Sequence, residues 1–157
     1  MIKQIIVMRT KYPDGKGGLK KLRSGKLISQ GCHACLAVIL SMFEFKPMVT
    51  LNMIIQTICS FFCCKYINRI KRVFVCKENS ALNKWLTNSF TKIVCYVESE
   101  EEILELKRKA DELGILNRVI TDNGMTEFHG VPTITCIGFE PCESEVIDKI
   151  TGNLKLL

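Results

Sequence analysis

KIVCYVESEEEILELKRKADELGILNRVIT, residues 92–121, carries the pattern that decides the fold. Lys92 to Val97 is a short run rich in β-branched and aromatic residues, as a strand requires. Ser99 with Glu102 three positions on forms a capping box, which satisfies the free amides at a helix start. Ile103, Leu106, Ala110 and Leu113 then recur at helical spacing, so this face is expected to point inward. Gly114 stops the helix, and residues 115–121 return to strand composition. Strand, helix and strand in succession indicate an α/β architecture.

The same alternation continues on both sides. Residues 2–9 (IKQIIVMR) read as a buried strand ending in a charge, and KYPDGKGGLKKLRSG after it is a turn-rich basic loop. From Lys26 to about Phe43 the spacing becomes helical, with Ser24 as the expected N-cap and Ile28, Cys32, Cys35, Leu36, Ile39 and Phe43 as the stripe facing a core. Residues 132–138 form a further strand, and Ser144–Thr151 a short helix closed by Gly152. Residues 46–80 obey neither period and are read as an insertion containing a helix of uncertain extent. The fold class is α/β, a sandwich with helices covering both sheet faces.

With 157 residues, 47% hydrophobic and 24% charged, the chain suits one core and hardly two, so a single domain over 1–157 is expected. The net charge of +6 conceals a division: residues 1–96 carry 16 Lys/Arg against 3 Asp/Glu, and residues 97–157 carry 6 against 13. A basic front half fits either a solvated loop or a phosphate backbone, whose binding gains from counterion release. The N-terminal apolar run is too short for a secretory leader, so a cytoplasmic location with reduced cysteines is expected. The oily stretch 51–64 would reach only about 21 Å as a helix, against roughly 30 Å of hydrocarbon, so no membrane association is expected.

Two groups of residues carry chemical potential. Lys26, Gln30 and His33 fall on one arc of the helix, away from the expected apolar stripe, where they either line a cleft or are solvated. Asp122 and Thr126 lie in TDNGMTE after a strand, which is either an ordinary turn or the mouth of a crevice at a strand's C-terminal end. Gly25-Lys26 lacks the glycine and hydroxyl of a phosphate loop, which argues against ATP. Cys32 and Cys35 have half the spacing of a zinc or redox site but no second pair, so no metal is expected.

GKLISQGCHACLAV after a strand ending in Arg9, TDNGMTEFHGVPT, and the terminal IDKITGNLKLL together resemble the archaeal and eukaryotic type of peptidyl-tRNA hydrolase. The resemblance covers roughly residues 1–45 and 85–157. It implies a three-layer sandwich with a mixed four-stranded sheet, and hydrolysis of the ester between a peptide and tRNA. It places Lys26, Asp122 and Thr126 at the reactive centre with Gln30 and His33 beside them. It implies no cofactor, peptidyl-tRNA as partner, and Arg9, Lys16, Lys20, Lys21 and Arg23 as tRNA contacts; a homodimer stays open. Departures from the family pattern are Lys11 in place of Asp, Met125 before the threonine, and Glu127 in place of Gln. A noncatalytic RNA-binding module on the same fold is the alternative.

Overall fold

The computed structural model describes residues 1–47, 72–75 and 77–157. These belong to two compact units, Met1–Met42 with Lys77–Leu157, and Phe43–Cys76. In the second unit, strands Glu44–Pro47 and Arg72–Val75 pair antiparallel, and most of the helix expected in 46–80 falls outside the described residues.

The first unit is built on β1 (Ile2–Arg9), the strand that lies at its centre. β1 pairs parallel with β2 (Lys92–Val97) and antiparallel with β3 (Thr133–Phe139), which pairs antiparallel with β4 (Asn117–Asp122). Two-residue strands, Lys155–Leu156 on β2 and Cys142–Glu143 on β1, extend this mixed four-stranded sheet. The period of two in β1 splits its side chains between the sheet faces. Ile5 and Val7 pack with Ile103, Leu106, Ala110, Ile147 and Ile150, from α3 (Glu100–Glu112) and α4 (Ser144–Thr151). Ile6 and Met8 pack on the opposite face with Ala34 of α1 (Ser24–Met42). The short α2 (Ala81–Thr87) buries Trp85, whose indole donates to the Thr91 carbonyl at 2.7 Å.

The Ser99–Glu102 capping box forms as expected: Glu102 N donates to Ser99 Oγ, and Ser99 N to Glu102 Oε2. Leu113, expected inward, is exposed, because the chain already turns toward Gly114 at φ +67°. The basic loop is more ordered than its turn residues suggest. Tyr12–Pro13 and Leu19–Lys20 pair as a small hairpin around Asp14, which accepts from the amides of Lys16 and Gly18.

The largest correction concerns α1. Ser24 lies inside its first turn, since Leu27 N already bonds to Arg23 O, so it is not the N-cap. The buried positions are Gln30, Ala34, Val38 and Ile39, whereas Ile28 is 68% and Leu36 57% exposed. Of the expected stripe, Ile39 is buried, whereas Ile28, Cys32, Cys35 and Leu36 flank an open apolar groove of about 540 Å³ with Val94, Lys92 and Leu157. The helix is apolar enough all round to match a membrane span by length and composition, so periodicity did not single out the face that packs.

The first unit draws its core from residues 1–42 and 77–157. Replacing residues 43–76 by a short Gly/Ser linker is therefore expected to leave a soluble domain with one cooperative thermal transition. Insoluble protein, or a lost transition, would show instead that the inserted segment completes the core.

Candidate active site

Asp122 ends β4, and the chain reverses at Asn123-Gly124 with Gly124 at φ +83°. A Cβ on Gly124 would collide with the Val131 carbonyl oxygen, so both the turn and its closeness to the returning chain require glycine. The turn is fixed by Gly124 N donating to Asp122 Oδ1 at 2.9 Å. α1 packs over β3 and β4, which brings its first two turns to this carboxylate.

Lys26 Nζ donates to Asp122 Oδ2 and, at 3.2 Å, to Thr126 Oγ1. Gln30 Nε2 donates to the same Oδ2 at 2.8 Å. Asp122 is only 8% exposed, and burial pushes its carboxyl up. The bonds from Lys26, Gly124 and Gln30, with the Lys26 charge, outweigh this and hold it below the usual carboxylate range. An acceptor-only group thus meets donors on both oxygens, and stays ionised beside an ammonium and a hydroxyl.

Four of the five expected catalytic residues, Lys26, Gln30, Asp122 and Thr126, therefore meet at one place. His33 does not join them. It is exposed one turn along α1, with Nε2 3.4 Å from Ser29 Oγ. Thr135, which the sequence reading passed over, is buried here and donates to Gln30 Oε1 at 2.8 Å. Since the Asp122 carboxylate demands the amide's NH2 group, the Gln30 oxygen must face Thr135, and the hydroxyl fixes that orientation.

The expected tRNA contacts divide. Lys16 and Lys21 are exposed, as is Arg23, which pairs with Glu127 at 2.9 Å; Lys20 donates to the Glu127 carbonyl. Arg9 is instead buried, bound to Glu100 at 2.8 Å and to the carbonyls of Lys11 and Ile134, over the Tyr12 ring. Its charge is spent inside the fold. Cys35, half-buried, donates to Gln4 Oε1, and burial pushes its thiol up, away from thiolate chemistry. Among the described residues, no three His, Cys, Asp or Glu side chains group as metal ligands.

Fold and site together define an α/β enzyme class with a lysine–carboxylate pair and a hydroxyl at the end of a sheet strand. The chain matches the peptidyl-tRNA hydrolase PTH2 family over residues 2–157, and it belongs to that family of ester hydrolases. It is similar to the peptidyl-tRNA hydrolase of Methanothermobacter thermautotrophicus, at 31% identity over 156 residues, 99% of this chain and 100% of the relative. That of Nanoarchaeum equitans is 32% identical over 156 residues, 99% of each chain. That of Thermoplasma acidophilum is 48% identical over 80 residues, 51% of this chain and 68% of the relative.

Proposed function

We propose that this protein hydrolyses the ester joining a peptide, or an N-blocked amino acid, to the terminal ribose of tRNA. The observation that carries the reading is the shared position of Lys26, Gln30, Asp122 and Thr126, bonded to one another within a family of ester hydrolases. An ammonium has three N–H donors, of which two reach Asp122 and Thr126. The third serves the ester carbonyl, where it stabilises the oxyanion as water adds to the carbon. Thr126 Oγ1 accepts from Lys26 and has its own hydrogen left to orient the water or the ribose end. Asp122 anchors the ammonium. The proton lost by the attacking water ends on the departing ribose oxygen.

Lys16, Lys20, Lys21 and Arg23 serve as phosphate contacts, which give affinity without reading sequence. The location is the cytoplasm, where peptidyl-tRNA is formed. A homodimer that covers the apolar groove along α1 completes the reading. Turnover of N-acetyl-aminoacyl-tRNA by the purified protein tests the function directly. Binding of tRNA without release of the acyl group would support the noncatalytic alternative.

The lowered pKa of Asp122 also predicts a pH profile. Its ionised form persists through neutrality and is lost only as pH falls below the usual carboxylate range. Stability drawn from the pair is likewise present above the unfolded pKa and lost as pH falls through the lower folded one. Turnover is expected to show no acid inflection between about pH 5 and 7. An acid inflection inside that range would show that a group other than Asp122 sets the profile.

A further inference from the structure

The loop carrying Thr126 is tied to the basic hairpin more firmly than catalysis alone requires. Phe128 is buried against Tyr12, with ring centroids 5.1 Å apart, and Leu22 joins them. Phe128 N and Gly130 N both bond to Gly124 O, and Lys20 Nζ bonds to Glu127 O. This fixes the backbone of Glu127. Its side chain, 13% exposed, is thereby presented to the guanidinium of Arg23, which is 81% exposed. A guanidinium fork suits a carboxylate and a phosphate equally well. Where the family pattern has a neutral Gln, this chain places an anion on an exposed arginine one residue from Thr126.

We propose that Glu127 is an internal stand-in for a tRNA phosphate, an affinity-setting residue that occupies Arg23 until substrate displaces it. The inference rests on the tRNA reading above. Because Glu127 follows Thr126 directly in the chain, the exchange is assigned to the acceptor end of the tRNA. No covalent step is involved. Arg23 is largely exposed although Glu127 is not, and the guanidinium exchanges one oxyanion for another, so the effect is modest.

The test is deacylated tRNA binding and the KM for N-acetyl-aminoacyl-tRNA in a cycle of Glu127→Gln, Arg23→Ala and the double variant. The amide keeps the shape of the side chain and removes its charge. Glu127→Gln is expected to lower the Kd about two- to five-fold and to lower KM in parallel. It should also steepen the salt dependence by up to about one unit, as Arg23 then releases a counterion on binding. In the Arg23→Ala background the same change should bring no gain, because its effect passes through Arg23. Unchanged or weaker binding in Glu127→Gln overturns the proposal, as does a gain that persists in full without Arg23. Either result leaves hydrolysis by the wild-type protein intact, whereas a wild type that neither binds nor cleaves these tRNAs removes the functional reading itself.

Discussion

Lys26→Ala and Asp122→Asn are each expected to lower turnover by at least about 100-fold, the range for losing one positioned polar or oxyanion-stabilising group. Lys26→Ala removes the ammonium that the oxyanion would meet, and leaves Asp122 held only by Gln30 and Gly124. Asp122→Asn acts differently. The carboxylate accepts from Lys26, Gln30 and Gly124 and donates to none, so an amide must turn its NH2 group toward one of these donors. In either orientation the Lys26 ammonium loses its charged partner. Neither side chain belongs to the hydrophobic clusters on the two sheet faces, so circular dichroism should match the wild type. A well-folded variant with near-normal turnover would remove that residue from the mechanism.

The parts of the fold legible in the sequence are those with a single pattern. In α3 the capping box and the spacing of Ile103, Leu106 and Ala110 agree, and charged residues fill its other faces, so bounds and buried face both follow. α1 offers no such contrast. Its apolar residues surround the helix, and one of its buried positions is the polar Gln30, which no hydrophobic pattern marks as inward. The helical arc and the family motif both singled out Gln30, whereas of the expected apolar stripe Ile39 is buried and Cys35 half-buried while Ile28, Cys32 and Leu36 are exposed.

Thr135 was hidden for a different reason. Ile120 pairs with Cys136 and Thr121 with Ile134, so Thr135 is the extra residue of a β-bulge. Ile134 packs toward α3 and α4, Cys136 toward α1, and the bulge turns the Thr135 hydroxyl to Gln30 on the α1 side. Strict alternation along PTITCIG cannot show this. Arg9, counted with the basic front half among the expected tRNA contacts, has a different reason: Glu100 and two carbonyls absorb its charge within the fold, and composition does not show such partners.

Gly138→Ala is expected to be the most damaging single methyl group that can be added between α1 and the sheet. Gly138 lies on β3, where a Cβ would stand 2.7 Å from the Ala34 carbonyl oxygen and 3.0 Å from its carbon. Both atoms are helix backbone, so no rotamer relieves the contact and α1 must lift from the strand. Ala34 and Val38, both fully buried, then lose packing, at a cost of about 1–3 kcal/mol and a fall in Tm of roughly 3–10 °C. The same shift carries Lys26 and Gln30 away from Asp122, since they ride on the lifted helix. Displacement of a positioned group on the order of 1 Å lowers turnover by as much as about 100-fold. Gly31→Ala, on the same helix, is the control. Its Cβ would make an ordinary 3.6 Å contact with Met8 Sδ, and alanine favours the helix by about 1 kcal/mol over glycine, so stability should hold or rise. If Gly138→Ala keeps both its melting temperature and its turnover, close packing of α1 on β3 is not what holds Lys26 and Gln30 at Asp122.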